Sequence, residues 1–395
     1  MASIVTIIAI SLISFPQESV NASRQGLTMW WEIVFPSLLP FFIICELLIS
    51  FGVVGFIGVL LEPLMRPLFK IPGVGGFVWA MGMASGFPTG AKLTAKLRQE
   101  GQLTKIEAER LVSFTNSSNP LFIFGAVSVV FFENASLGLI LALAHYLGNI
   151  CIGIIMRFYG KDQKEHLIKK HKSFSFKHAL KVLHQTRLKE KRPFGKLLGD
   201  AVISSINTLL MVGGFIILFA VINELLYHLY ITQILGLLIS DLFTVLQLPT
   251  TLTIPFISGL LEITTGSHLT SKLQEIDLMH QAIIVSFILA FSGFSVQAQV
   301  ASILAPTDIS FKPFFIARII HGFLASIITF LLWNPVYNHF SKISDQLNHI
   351  PVMAFASGDW LNGSVILFVM KIGPIVTILA LALYVVIFLK RMDKN

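Results

Sequence analysis

The sequence predicts an all-α, polytopic membrane protein of about eight transmembrane helices, with two re-entrant hairpins arranged as an inverted repeat. Three observations carry this. Of 395 residues, 54% are hydrophobic and only 13% are charged, about half the charge of a soluble domain, and the mean hydropathy is +0.78. The positive charge is concentrated: residues 159–200 hold twelve Lys/Arg against four Asp/Glu, the whole of the net +8. Finally, the pattern Thr-Gly-x-x-Leu-Thr-x-Lys-Leu occurs twice, at 89–97 and 265–273. Together these exclude a soluble enzyme and a disordered chain. So local a charge excess also argues against nucleic-acid binding as the main function and reads as a topology signal, because basic loops stay cytoplasmic.

The elements follow in chain order. Residues 1–32 form an N-terminal helix and outer loop. Met1–Phe15 is apolar but short, and it lacks the basic start and cleavage site of a signal peptide. Residues 33–158 form a first repeat: a span at Ile33–Leu61, a hairpin, an amphipathic surface helix at Thr104–Ser113, a broken helix at Phe114–Phe132 and a span at Ser136–Phe158. Thr104 and Glu107 have capping-box spacing. Residues 159–200 are the basic cytoplasmic loop. Residues 201–333 form the second repeat, with spans at Ile203–Tyr227 and Pro313–Trp333 around a hairpin and a broken helix at Ala282–Leu304. Ile231–Leu252 is apolar enough to span, but Asp241 and Pro249 favour an interfacial helix; a span there would spoil the inversion. Residues 334–395 are an outer loop and a last span, Ser364–Leu389, ending in a cytoplasmic tail with Lys390, Arg391 and Lys394.

The broken helices are read from polar residues at membrane depth. One holds Thr115-Asn116-Ser117-Ser118-Asn119-Pro120, the other Ser292-Gly293-Phe294-Ser295-Val296-Gln297-Ala298-Gln299. Non-helical backbone survives in a bilayer only where protein or a watery cavity surrounds it. The spacing from Leu97 to Asn116 equals that from Leu273 to Ser292, 19 residues in each case. Inverted repeats with discontinuous helices point to a secondary transporter whose site lies near the midplane.

The candidate substrate site gathers these segments. Gly86, Pro88 and Gly90 permit a tight reversal, and Thr89 is placed to cap the helix beginning near Gly90; Thr265 and Gly266 are placed alike. Helix N-termini attract anions. The first half contributes Gly86, Thr89, Gly90, Lys92, Thr94, Thr115, Asn116, Ser117, Ser118 and Asn119. The second contributes Glu262, Thr264, Thr265, Gly266, Ser267, Ser292, Ser295, Gln297 and Gln299. Lys92 would suit an anionic substrate, and Glu262 would couple protons or cations. Other intramembrane ionisable groups are Glu46, His145, Glu224, His321 and Lys371.

Enzyme chemistry is not expected. Lys92 does not follow Gly90 directly, so the phosphate-loop pattern fails, and no nucleophile-elbow or metalloprotease motif occurs. Cys45 and Cys151 lie apart in apolar stretches. The four His of the basic loop (166, 171, 178, 184) lack Cys or acidic companions at ligand spacing, so no metal or cofactor is expected. The basic residues there suit anionic lipid headgroups.

Several runs carry a family resemblance: Trp30-Trp31-Glu32-Ile33-Val34-Phe35-Pro36-Ser37-Leu38-Leu39-Pro40, Leu61-Glu62-Pro63-Leu64-Met65-Arg66-Pro67, Pro72-Gly73-Val74-Gly75-Gly76, Ala84 to Lys92, and Glu107 to Phe122. With these the chain resembles the YlbJ (SpoVV) family of sporulation integral membrane proteins, which carry two gate, or nucleoside-recognition, modules. The resemblance covers the whole chain and is weaker in the second half. It implies transport of dipicolinic acid, a flat aromatic dianion, from the mother cell across the outer forespore membrane. The alternatives are a cation-coupled nucleoside carrier and a non-transporting membrane scaffold for spore-envelope (cortex) assembly. The expected partners are the small anionic substrate and the lipid bilayer, with no nucleic acid; a homo-oligomer is compatible with the sequence.

Overall fold

A computed structural model describes residues 2–160 and 176–337, and every regular element among them is helical. The last predicted span, the basic tail and residues 161–175 of the basic loop lie outside the described residues.

The chain opens with α1 (Ala2–Ser14) and α2 (Pro16–Met29). Pro16 starts α2 at the position where its missing N–H costs nothing. A π-helical turn, Trp30–Val34, leads into α3 (Phe35–Ser50), with a bend of 54° between the two apolar pieces. Trp30 pins this corner, donating its indole N–H to the Leu209 carbonyl at 2.9 Å. The predicted continuous span at Ile33–Leu61 is not observed. Gly52 adopts φ +81 and stops α3 before α4 (Val53–Phe69) begins; left-handed backbone favours glycine and ends a helix.

Next come α5 (Val74–Ser85) and α6 (Thr89–Gln99), the two arms of the first hairpin. α7 (Lys105–Thr115) starts at the predicted capping box: Glu107 N–H donates to Thr104 Oγ1 at 3.2 Å, and Thr104 N–H to Glu107 Oε2 at 2.9 Å. This helix is not the expected surface helix. Ala108 to Thr115 are all buried, because its charges have remote partners. Arg66 bonds Glu107 at 3.0 Å, Glu109 accepts from Tyr159 OH and the Ser310 N–H, and Arg110 donates to the Tyr159 and Lys70 carbonyls. α7 is therefore the first arm of a broken helix. Asn116–Asn119 are non-helical, and a π-helical arm, Leu121–Phe131, continues.

α8 (Ala135–Met156) has 22 residues, about 33 Å, enough to cross a bilayer. α9 (Phe176–Lys189) follows, then α10 (Phe194–His228), which has 35 residues. α11 (Ile231–Val245) has only 15, about 22 Å, short of the hydrocarbon thickness of about 30 Å. A 3-10 turn, Thr250–Leu252, leads to α12 (Thr253–Leu261) and α13 (Ile263–Ser271), the second hairpin. The second broken helix is α14 (Leu278–Phe291) and α15 (Gly293–Leu304), interrupted at Ser292, whose φ is +70. α16 (Phe311–Leu332) ends in a π-helical turn, Trp333–Tyr337.

Among the described residues, four helices or helix pairs are long and apolar enough to cross a membrane: α8, α10, Leu278–Leu304 and Phe311–Tyr337; the bent pair at Pro16–Ser50 makes a fifth. Leu237 and Leu238 on α11 are more than 70% exposed, as suits a lipid-facing surface. One apolar cluster runs through both halves, from Phe69 and Phe114 to Ile288 and Phe314.

Candidate functional site

Each hairpin grips the break of its own half. In the first, a Cβ on Gly90 would lie 2.3 Å from the Thr115 carbonyl oxygen, and one on Gly82 2.0 Å from the same atom. Asn119 donates to the Ser85 carbonyl at 3.2 Å and accepts from Phe122 N–H at 2.7 Å, and Ser117 donates to the Gly82 carbonyl at 3.3 Å. In the second, a Cβ on Gly266 would lie 2.1 Å from Gly259 Cα, and one on Gly293 3.3 Å from the Gly259 and Leu261 carbonyl oxygens. The hairpins also cross over: α6 packs on α15, and α13 on the Leu121–Phe131 arm.

The tips are capped differently from the sequence expectation. Thr89 is the first residue of α6, behind an N-cap, Pro88, without a side-chain bond; its Oγ1 is buried and makes no hydrogen bond. Glu262, not Thr265, caps α13. Its carboxylate accepts from Thr265 N–H at 2.7 Å, Thr264 Oγ1 at 2.7 Å and Thr265 Oγ1 at 3.1 Å. An isolated buried carboxylate is costly, and these donors are what allow Glu262 to sit here.

Lys92 points away from the breaks. Its Nζ lies 2.8 Å from Glu46 Oε1 and within 3.1 Å of Ser204 and Thr208, and Lys96 flanks the same carboxylate at 3.4 Å. Glu46 therefore already balances the cation assigned to the substrate. Thr94 and Thr115 bond back to carbonyls one turn earlier, Gly90 and Leu111. Helical Ser and Thr side chains do this commonly, and it leaves little for a ligand.

The two breaks meet at a residue the sequence reading did not single out. Arg318, on α16, is completely buried. A helix that stops leaves its last carbonyls without donors, and Arg318 supplies donors to those of both broken helices. Its guanidinium bonds the Asn116 carbonyl at 3.1 Å, reaches the Ala290 carbonyl at 3.5 Å, and also holds the Ser113 carbonyl and Asn149 Oδ1. Around it, His145 Nε2 accepts from Ser118 N–H at 3.0 Å, Tyr146 OH donates to the Ser118 carbonyl at 3.0 Å, and His321 sits between the Ala290 and His145 carbonyls. Among the described residues Arg318 has no carboxylate partner. A lone cation inside an apolar span was the available signal.

Much of the predicted set is buried with unused hydrogen-bonding capacity. Thr89, both side-chain atoms of Asn116, Ser118, Ser267, Ser292, Ser295, and the carbonyl oxygens of Gln297 and Gln299 have no partner; neither do Ser85 Oγ, His145 Nδ1, Asn149 Nδ2 and Arg318 Nε. A buried polar group left unpaired costs about 1–3 kcal/mol. Such groups are rare in ordinary cores, and their concentration at hairpin tips and breaks suits a polar ligand.

The chain is similar to known proteins over both halves. The gate family, described as nucleoside recognition, matches residues 31–133 and again 209–307. The sporulation integral membrane protein YlbJ of Bacillus subtilis (strain 168) is 57% identical, over 100% of this chain and 97% of its own length. The chain belongs to the YlbJ family. An uncharacterised protein of Alkalihalophilus pseudofirmus is 38% identical over 27% of this chain and 23% of its own. A solved structure of a CNTnw double variant in an outward-facing state is similar with TM-score 0.38 and 11% identity, over 82% of this chain and 84% of that one. In this YlbJ-family chain each gate match contains one hairpin and one break. The groups that tie the breaks together, His145, Asn149, Arg318 and His321, lie outside both matches, on α8 and α16.

Proposed function

We propose that this sporulation membrane protein is a secondary carrier for a small organic dianion, and that its substrate is dipicolinic acid, moved from the mother cell across the outer forespore membrane. The observation that carries the reading is Arg318: a fully buried guanidinium without a carboxylate partner among the described residues, set between two helix breaks and ringed by unpaired polar groups. A buried charge calls for a compensating one, and a carboxylate group would provide it while engaging Asn116, Ser118 and Asn149.

The contacts at the ends of the elements support an inverted arrangement. The base of the first hairpin, Arg98, pairs with Asp308 just beyond α15, at 2.7 Å. The base of the second, His268, packs against Phe131 at the end of the first broken helix, ring centroids 5.3 Å apart. Each hairpin thus opens where the other half's broken helix exits. With residues 159–200 in the cytoplasm, the first hairpin opens inward and the second outward.

The test is flux of labelled dipicolinate into vesicles containing the purified full-length protein. Wild-type uptake is expected, with at least a tenfold loss in Arg318→Gln. The gate family's description as nucleoside recognition favours one second reading, a nucleoside carrier. Uptake of uridine without uptake of dipicolinate would replace the first reading with this one.

A further inference from the structure

His321 makes contacts that a neutral imidazole cannot satisfy. Its ring is fully buried on α16, one turn beyond Arg318. Nδ1 lies 3.1 Å from the Ala290 carbonyl oxygen and Nε2 2.9 Å from the His145 carbonyl oxygen. Carbonyl oxygens only accept, and a neutral imidazole has one N–H and one lone pair, so either tautomer sets a lone pair against a lone pair. The imidazolium has two N–H groups and satisfies both. The ring is also confined: a Cβ on Gly148 would lie 2.8 Å from His321 Cδ2, so α8 and α16 touch through that glycine.

We propose that His321 is a proton-binding site coupling the carrier to a proton gradient. The proposal rests on the carrier reading above. Ala290 lies in the last turn before the Ser292 break, and the His145 ring accepts from Ser118 in the first break. A proton on His321 therefore joins the second break to the helix that holds the first, and its loss releases one of the two links. The proton comes from water on one side, forms an N–H bond at the second ring nitrogen, and returns to water on the other side; no bond of the substrate changes.

The surrounding charges make this proton depend on the substrate. On α16 itself Arg318 repels a second positive charge. On α8 the His145 ring is 5.0 Å away, with Nε2 already accepting from Ser118. On α14 the bonds to α16 are neutral, Ser286 with Thr329 at 2.6 Å and the Ile283 carbonyl with Ser326 at 3.0 Å, and its one ionisable residue, His280, lies in the first turn beside Asp277, at the opposite end from Ala290; α15 contains no ionisable residue. The α7 charges Glu109 and Arg110 are held at the other end of α16, by Ser310 and Tyr159. A dianion beside Arg318 reverses the local field, so anion and proton favour each other's binding, and by linkage the effect is reciprocal.

The experiment uses the full chain in vesicles with the membrane potential clamped at zero. A gradient of one pH unit should concentrate labelled dipicolinate on the alkaline side, by about tenfold if one proton accompanies each molecule. His321→Gln, which cannot carry the charge, should lose that accumulation while keeping measurable exchange at equal pH. Wild-type exchange without gradient-driven accumulation, or undiminished accumulation in His321→Gln, overturns the proton site and leaves the carrier standing. Absence of wild-type exchange defeats the carrier reading instead. The proton site is then read directly by nitrogen NMR of labelled histidine, with His321 assigned by its loss in the variant. Two protonated ring nitrogens at about pH 6 support it, and a ring that stays neutral from about pH 5 to pH 8 overturns it.

Discussion

The two hairpin-and-break units have the same order of elements but spend their polar groups differently. In the first, the break is a four-residue non-helical run, Asn116–Asn119, and the hairpin tip has no side-chain cap, so Thr89, Asn116 and Ser118 keep unpaired atoms. In the second, the break is one non-helical residue, Ser292, left-handed like the Gly293 that follows it, and the tip is capped by Glu262. Its unpaired atoms are Ser267 Oγ in the hairpin, Ser292 Oγ in the break, and, further on, those of Ser295, Gln297 and Gln299 in α15. The charges differ as well: Lys92 turns to Glu46, while its aligned counterpart His268 is exposed and stacks edge-on to Phe131. In the first unit the unpaired groups therefore lie at the tip and along the break itself. The second has a tip capped by its own carboxylate, and most of its unpaired groups lie beyond the tip, in the break and along α15. Repetition of an element order does not make two halves chemically interchangeable.

The largest expected effect removes what the units share. Arg318→Met takes the guanidinium donors from the Ser113 and Asn116 carbonyls at the first break and leaves the Ala290 carbonyl at the second to His321 alone. It should lower stability by about 3 kcal/mol or more, given the worth of charge-assisted hydrogen bonds, and abolish dipicolinate flux. Arg318→Lys keeps the charge but not the planar fork and should recover stability better than flux. Denaturation in detergent beside vesicle flux separates the two. A variant with normal flux would remove Arg318 from the site.

The glycines test whether a hairpin serves its break or only itself. In Gly90→Ala the new Cβ meets the Thr115 carbonyl, in the first break. In Gly266→Ala it meets Gly259 Cα, within the hairpin. Both overpack by an amount worth about 1–3 kcal/mol. Gly90→Ala should lose more flux per unit of stability lost, because the displaced backbone is that of Asn116. Equal ratios for the two variants would erase the distinction.

These differences were only partly legible in the sequence. Glycine, proline and clustered polar residues at membrane depth located both hairpins and both breaks, because those residue types act locally on the backbone. Distant partners were not legible. Glu107, Glu109 and Arg110 read as a solvated face, yet Arg66, Tyr159, Lys70 and Ser310 satisfy them inside the protein. Lys92 read as a free cation because Glu46 lies on another helix. Arg318 escaped notice because it bonds mainly backbone carbonyls, which carry no sequence signature. The span at Ile33–Leu61 looked continuous because hydropathy averages over the left-handed backbone at Gly52.

A smaller effect separates the caps. Glu262→Ala removes three accepted hydrogen bonds and should cost about 1–2 kcal/mol, the upper range for an N-cap. Glu262→Gln should retain part of that, since one oxygen remains. Thr89→Ala removes a hydroxyl with no partner in the protein and should leave stability within about 0.5 kcal/mol, while weakening substrate affinity. The expected pattern is therefore crossed: stability responds in the second tip and affinity in the first. Thermal melting of the two variants with and without dipicolinate checks it.

The smallest effect concerns the contact between the units. Arg98 Nε and Nη2 bond the two carboxylate oxygens of Asp308 at 2.9 and 2.7 Å, joining the base of the first hairpin to the exit of the second broken helix. The Arg98 hydrogen bond is the main reason the Asp308 carboxyl titrates below the usual aspartate range. A depressed carboxylate stabilises the fold above its unfolded value, about pH 3.9, and that contribution disappears as pH falls through the lower folded value. Half of the Asp308 side chain is exposed, so the pair is worth well under about 1 kcal/mol. Arg98→Ala should lower stability slightly at neutral pH, and the deficit should vanish below about pH 3 and shrink in high salt. A deficit indifferent to both pH and salt would assign the loss to the Arg98 bond with the Leu103 carbonyl, at 2.9 Å, a contact wholly within the first unit.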